Sequence, residues 1–219
     1  MAEKPKRADP RPQPRLYLVT PRLDDAAAFV APLSAALGAG DVAAVLLRLA
    51  AADEGGLIKR IKALAGVVQG KDAALIVDGL PDLVARGGAD GAHLTGIEAF
   101  SDVAERLKPD RIAGVGGLVT RHDAMLAAEG GADYVMFGEP DASGKRPAFD
   151  AIEERIGWWA EVFEIPCVGY AASLDEVAAV VAAGADFVAL GDFVWQEPQQ
   201  VAAQVAAAAA RLALPETTA

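Results

Sequence analysis

Short apolar runs alternate with longer stretches whose apolar positions recur at helical spacing, along nearly the whole chain. The apolar runs read as strands at residues 15–20, 42–49, 73–78, 91–94, 111–115, 134–138, 165–169 and 187–190. A helical stretch follows each, at 24–37, 54–68, 81–86, 97–107, 121–129, 149–163, 174–183 and 198–212. Three of the junctions are written alike: LVARGGADGAHL at 83–94, AMLAAEGGADYVMFG at 124–138 and VAAVVAAGADFVALG at 177–191. An Ala-faced helix, a Gly to stop it and an Asp before the next strand suit a parallel βαβ connection. The aspartates, Asp90, Asp133 and Asp186, lie 43 and 53 positions apart, one or two βα units each time. Ser173, with Glu176 three residues later, reads as a capping box opening the seventh helix. Eight such units in roughly 200 residues predict an α/β fold, a (β/α)8 TIM barrel of parallel strands. A doubly wound sheet needs fewer strands and ranks second.

No composition shift or linker divides the chain, so one barrel domain is expected over 15–213, with a lead at 1–14 and a tail at 214–219. The lead, MAEKPKRADPRPQPR with the first barrel residue, is basic and Pro-rich without an apolar stretch. It reads as disordered rather than as a signal peptide. The 219 residues carry a net charge of −11, which argues against a general affinity for nucleic acid or anionic membrane. Any phosphate must then be held by local Arg, Lys and backbone N–H groups. The single Cys167 lies in an apolar run after Ile165 and Pro166, so it reads as a buried structural thiol in a reducing, cytoplasmic setting. No apolar stretch is long enough to span a membrane. Assembly is open, a homo-oligomer among the alternatives, with the Trp158–Trp159 pair either at an interface or in a helix core.

In a barrel, function gathers where the strands end, and the opposite rim serves stability. The Gly-Ala-Asp triplets precede strands, so they belong to the stability rim. The residues that leave the strands are Thr20 with Arg22, Arg48, Asp78, His93 with Thr95, Gly116 with Gly117, Glu139 through Lys145, Gly169 with Tyr170, and Gly191 with Asp192. Asp78 is a candidate metal ligand, or else a helix cap. Glu98 is a candidate second ligand, or else a first-turn acid matched to its helix dipole. His93 is either a satisfied structural histidine or a catalytic one, and His122 reads as exposed. Arg48 ends an apolar strand, where an unpaired guanidinium is costly, so it needs a ligand or an ion pair across the mouth. Lys145, in EPDASGKRP, either clamps an anion or is simply solvated. The expected cradle after the last two strands is weak: Gly169-Tyr170-Ala171-Ala172-Ser173 holds one Gly, and Gly191 is followed by the anionic Asp192.

Taken in order, five segments resemble the thiamine phosphate synthase family and its thiazole tautomerase branch: LYLVT at 16–20, LLR at 46–48, IVD at 76–78, GADGAHL at 88–94 and GGADYVMFGEP at 130–140. The resemblance covers residues 16–210. It implies a barrel that joins a hydroxymethylpyrimidine diphosphate to a thiazole phosphate with Mg2+. Asp78 and Glu98 then take the metal, and Arg48, Lys145 and His93 the catalytic places. Thr20, Thr95, Gly116, Gly138, Gly169, Ser173 and Gly191 contact the small phosphorylated substrate. The chain departs from the pattern at working positions. Leu46 replaces a Gln, Ala50 a Lys and Val77 an Asn. Thr95-Gly96 replaces Gly-Gln, and Tyr170-Ala171-Ala172 replaces Gly-Gly-Ile. The tautomerase branch's His falls near Val119, out of register with His122. The expectation is a synthase-like transferase of reduced or altered activity. The alternatives are a repurposed, non-catalytic barrel that binds another phosphorylated ligand or a partner protein, and a phosphate-binding isomerase using His93.

Overall fold

The computed structural model describes residues 12–212; the expected tail at 214–219 and residues 1–11 of the expected lead lie outside them. Eight parallel strands close in chain order, β1 pairing with both β2 and β8. The strands are β1 (Arg15–Val19), β2 (Val42–Leu47), β3 (Ala74–Asp78), β4 (Gly91–Thr95), β5 (Ile112–Gly116), β6 (Tyr134–Phe137), β7 (Cys167–Ala171) and β8 (Phe187–Leu190). The helices between and after them are α1 (Ala26–Leu37), α2 (Glu54–Gln69), α3 (Val84–Gly87), α4 (Ile97–Leu107), α5 (Arg121–Glu129), α6 (Phe149–Val162), α7 (Leu174–Ala183) and α8 (Val201–Ala209). This is the (β/α)8 barrel the periodicity predicts, and the doubly wound alternative falls away.

The differences are local and have local causes. β2 stops at Leu47 because Arg48 turns its backbone N–H to the Thr20 hydroxyl. β7 starts at Cys167 because Pro166 has no N–H to offer the ladder. The third helix is a 3-10 turn, Pro81–Leu83, running into the single turn of α3. The Ser173 capping box does not form: Ser173 makes no side-chain cap, and Glu176 bonds elsewhere. The capping box belongs instead to Thr120 and Asp123 at the start of α5.

Strand alternation divides the core in two. One set of strand side chains, including Tyr17, Leu46, Ile76, Tyr134, Met136 and Tyr170, fills the barrel interior. The other packs outward onto the helices, with Cys167 fully buried there. Trp159 is also buried, donating from its indole N–H to the Ile165 carbonyl at 2.7 Å, whereas Trp158 is half-buried beneath Arg121.

The three Gly-Ala-Asp triplets perform one task at the N-terminal rim. The Asp90, Asp133 and Asp186 carboxylates accept the N–H of Leu75, Ala113 and Cys167 at 2.7, 2.7 and 2.8 Å. The same aspartates donate their own N–H back to the carbonyls of those residues. Each Asp thus stitches its strand to the start of the preceding one. A cavity of about 290 Å³ opens at this rim beneath Tyr17 and Tyr134, walled mainly by Ala44, Ala74, Ile112 and Phe187.

Candidate active site

Arg48 leaves β2 at the C-terminal mouth. Its Nε donates to the Thr20 carbonyl at 2.6 Å, and its Nη2 to Asp192 Oδ1 at 2.6 Å. Thr20 is wholly buried and holds Arg48 by hydroxyl and carbonyl together. The Asp192 side chain is 64% exposed, so this ion pair is open to exchange with an incoming anion.

Asp78 ends β3 in register with His93 of β4. Its half-buried carboxylate has no hydrogen-bond partner among the described residues, and desolvation raises its pKa against the lowering pull of Arg48 and Arg22. His93 is buried in the interior, its Nδ1 3.0 Å from the Tyr134 hydroxyl, which lies 2.8 Å from that of Tyr17. Burial lowers the imidazole pKa to about 4, so it is neutral at physiological pH.

Glu139, immediately after β6, reaches the same place from the opposite side. A Cβ built on Gly116 would lie 2.1 Å from Glu139 Oε1 and 2.8 Å from His93 Nε2, so only glycine admits both groups. Gly117 N–H donates to Glu139 Oε1. Desolvation nevertheless pushes the Glu139 carboxyl up to about 7, with Asp78 adding to the rise. A carboxyl near its midpoint beside a neutral imidazole can accept or deliver a proton here.

The remaining sequence candidates are dispersed. Thr95 is exposed, its methyl lying beside Gly117. Gly191 is pressed against Tyr170, while Gly138 and Gly169 face α6 and α7 rather than the interior. Glu98 is exposed in the first turn of α4, Ser173 stands before α7, and His122 is exposed. Lys145 is exposed on a tight turn whose Asp141 carboxylate accepts the N–H groups of Ser143 and Lys145.

Its neighbour Arg146 turns inward instead. Arg146 Nε donates to the Gly138 carbonyl at 2.8 Å and Nη2 to the Tyr170 carbonyl at 3.0 Å. Both terminal nitrogens also reach the Glu176 carboxylate, and the guanidinium lies over the Tyr170 ring. Arg146 and Glu176 are absent from the sequence-derived site residues, and Glu139 appears there only as a strand-exit residue without a role. A faint signal existed for Glu139 and Arg146: a charged residue next to a strand-exit Gly, and a second cation beside Lys145.

Fold and mouth together define a barrel whose ionisable groups converge where the strands end, the arrangement of a small-molecule enzyme site. The sequence profile of the family described as Thiamine monophosphate synthase matches residues 16–194. A thiamine-phosphate synthase of Rhodospirillum centenum is 44% identical over 195 residues, covering 88% of this chain and 94% of that protein. One from Hyphomonas neptunium is 36% identical over 211 residues, covering 91% and 94%. The chain belongs to the thiamine monophosphate synthase family. The thiamine phosphate pyrophosphorylase of Pyrococcus furiosus shares the fold, with a TM-score of 0.76 at 23% identity, covering 91% of this chain and 96% of that one.

Proposed function

We propose that this chain is a transferase of thiamine biosynthesis that joins a hydroxymethylpyrimidine diphosphate to a thiazole phosphate, with reduced or altered activity. In that reaction the bond between the pyrimidine methylene carbon and diphosphate oxygen breaks, and a carbon–nitrogen bond to the thiazole forms. The observation that carries the reading is Arg48 beside Asp78: a guanidinium with an exchangeable partner next to a half-buried carboxylate that has no hydrogen-bond partner among the described residues.

Asp78 fits a divalent cation in one respect: an unpartnered carboxylate is relieved by a positive charge. Among the described residues no group of three His, Cys, Asp or Glu side chains could hold a metal unaided. Asp78 would hold Mg2+ together with the bound diphosphate, and Glu98, exposed in the first turn of α4, is the second ligand that the resemblance implies. There Mg2+ would supply charge neutralisation for the leaving diphosphate. Arg48 binds and orients the diphosphate, Thr20 holds Arg48 in place, and Lys145 adds a positive charge from the loop above. His93 and Glu139, which meet at Gly116, accept or return protons around the pyrimidine.

Leu46 and Ala50 remove an amide and an ammonium that the resemblance would aim at the diphosphate. Each lost donor weakens transition-state stabilisation by roughly 2–4 kcal/mol, so turnover falls by powers of ten. The same losses favour the second reading, a repurposed barrel that binds a small phosphorylated ligand without turning it over. The net negative charge supports neither a nucleic-acid nor an anionic-membrane partner, and no helix among the described residues is long and apolar enough to cross a membrane. The cytoplasm is the proposed location, with homo-oligomer formation left to measurement.

Thermal melting with pyrophosphate tests the site, and a coupled assay with both substrates tests the reaction. Pyrophosphate is expected to raise the melting temperature more with Mg2+ than without, and Asp78→Ala to lose most of that increment. Leu46→Gln with Ala50→Lys is expected to raise synthase activity. An increment unchanged in Asp78→Ala removes Asp78 from the site, and efficient turnover by the unmodified chain overturns the reading of reduced activity.

A further inference from the structure

Past the ends of β1 and β2 the two segments stay paired. The Leu23 N–H donates to the Arg48 carbonyl at 2.9 Å and the Ala50 N–H to the Leu23 carbonyl at 2.8 Å, which makes Leu23 and Leu49 a parallel pair. Both leucines are buried in the outer core, against the helices. Alternation then turns the residues before them, Arg22 and Arg48, to the opposite face, the one that Leu46 takes in the barrel interior. Across the sheet Leu47 pairs with Val77 and Asp78 with His93. Arg22, Arg48, Asp78 and His93 therefore stand side by side in one row at the mouth.

Arg48 is anchored in this row by Thr20 and Asp192. Arg22 is not. Among the described residues it makes one long hydrogen bond, from Nη1 to the Leu49 carbonyl at 3.4 Å, and no ion pair. It is exposed, and most of its N–H donors are left for a ligand. Like charges on neighbouring strands repel, so the pair is a standing cost at the rim where function gathers. Both charges reach Asp78, whose pKa burial raises and Arg48, then Arg22, lowers.

We propose that Arg22 is the second diphosphate-binding residue of this mouth, gripping one phosphoryl group while Arg48 grips the other. The resemblance places the second cation on the exit of β2 itself, at position 50, where this chain has Ala50. Arg22 brings the charge from the neighbouring segment instead, on a planar fork that matches phosphoryl oxygens. One guanidinium suffices for a single phosphate, whereas a diphosphate engages both, so Arg22 sets a preference for diphosphate over a lone phosphate. An exposed arm adds affinity for the bound diphosphate without fixing geometry at the breaking bond. Retained binding and lowered turnover are thus compatible.

The diphosphate as ligand rests on the proposed transferase reading, and the probes are inorganic pyrophosphate and inorganic phosphate at one Mg2+ concentration. In calorimetry, Arg22→Ala is expected to lower pyrophosphate affinity about five- to tenfold and to leave phosphate affinity within about twofold, with Arg22→Lys intermediate for pyrophosphate. Ligand-free Arg22→Ala is expected to melt at or above the temperature of the unmodified chain, because it loses a repelling charge. Unchanged pyrophosphate affinity in Arg22→Ala, or an equal loss for both probes, overturns the role of Arg22; a loss in Arg48→Ala then leaves the diphosphate site standing. Pyrophosphate binding that neither Arg22→Ala nor Arg48→Ala weakens overturns the diphosphate site, and the role of Arg22 with it.

Discussion

Carboxylates stand at both ends of this barrel, in opposite states. At the N-terminal rim, Asp90, Asp133 and Asp186 each accept a backbone N–H from the preceding strand, and Asp133 also pairs with Lys108. At the C-terminal mouth, Asp78 has no hydrogen-bond partner among the described residues. Glu139 is raised to about 7 although Gly117 donates to it. At one end charge is consumed in joining strands; at the other it is held in a desolvated place that destabilises the ionised form. Unfavourable ionisation retained where barrel strands end marks function rather than architecture. Repetition in the sequence follows the first kind of carboxylate and is absent from the second.

The largest test of this contrast removes one carboxylate from each end. Asp133→Ala leaves the Ala113 N–H and the Lys108 ammonium without their acceptor. It is expected to cost about 2–3 kcal/mol of unfolding free energy in urea titration. Asp78→Asn removes a charge that folding desolvates without a partner. Its stability is expected to match or exceed that of the unmodified chain, while the pyrophosphate- and Mg2+-linked rise in melting temperature is lost. Comparable destabilisation by both changes would erase the distinction between the two ends.

A smaller effect lies in the pH dependence of stability. The folded pKa of Glu139 is raised from 4.5 to about 7, so the folded state holds its proton longer than the unfolded chain. Its ionisation costs stability as pH rises across that window, and the cost is complete above it. His93 runs the other way. Its pKa falls from 6.5 to about 4, so the unfolded chain takes the proton first and stability is lost as pH falls through that interval. The two trends oppose each other where they overlap. Glu139→Gln is therefore expected to gain on the unmodified chain between about pH 5 and about pH 8, by on the order of 1–2 kcal/mol. A difference that is flat with pH would show that the Glu139 carboxyl titrates like one in water.

The fold was largely legible because its determinants are local. Apolar runs, helix-stopping glycines and the Gly-Ala-Asp junctions each lie within about 15 residues, and all eight strands form near where periodicity puts them, with the third helix reduced to a 3-10 turn and a single α turn. Where local reading failed, two sequences competed for one rule. Ser173 and Glu176 have the capping-box spacing, but Arg146 and the Ala172 N–H take the Glu176 carboxylate; Thr120 and Asp123 form the box instead. The site was legible only in part for a related reason. Arg48, Asp78 and His93 announce themselves as polar residues on apolar strands. The contact of Arg146 with Glu176 spans 30 residues and that of Gly117 with Glu139 spans 22, distances over which sequence patterns carry no pairing information. Lys145 and Arg146 are adjacent and both cationic, and only the closed loop shows which one turns inward.

That adjacency supplies the smallest prediction. The turn bearing Lys145 is held by the Asp141 carboxylate, which accepts the N–H of Ser143, the Ser143 hydroxyl and the N–H of Lys145. Its contacts are to the Lys145 backbone, not its ammonium, and the Asp141 pKa is lowered first by the Ser143 hydroxyl and only last by the Lys145 charge. Lys145→Ala therefore leaves the loop intact, and its unfolding free energy is expected to stay within about 0.5 kcal/mol of the unmodified chain. Any contribution to anion binding comes from an exposed, screened charge. Pyrophosphate affinity is expected to fall by a factor of about 2–3 at low ionic strength and to recover as salt is added. Arg48→Ala, which removes a guanidinium anchored by Thr20, is expected to weaken pyrophosphate binding by more than about tenfold and to keep that deficit at high salt. Calorimetry of the two variants at two salt concentrations separates an anchored cation from a solvated one. A Lys145→Ala deficit as large and as salt-resistant as that of Arg48→Ala would move the loop lysine into the site itself.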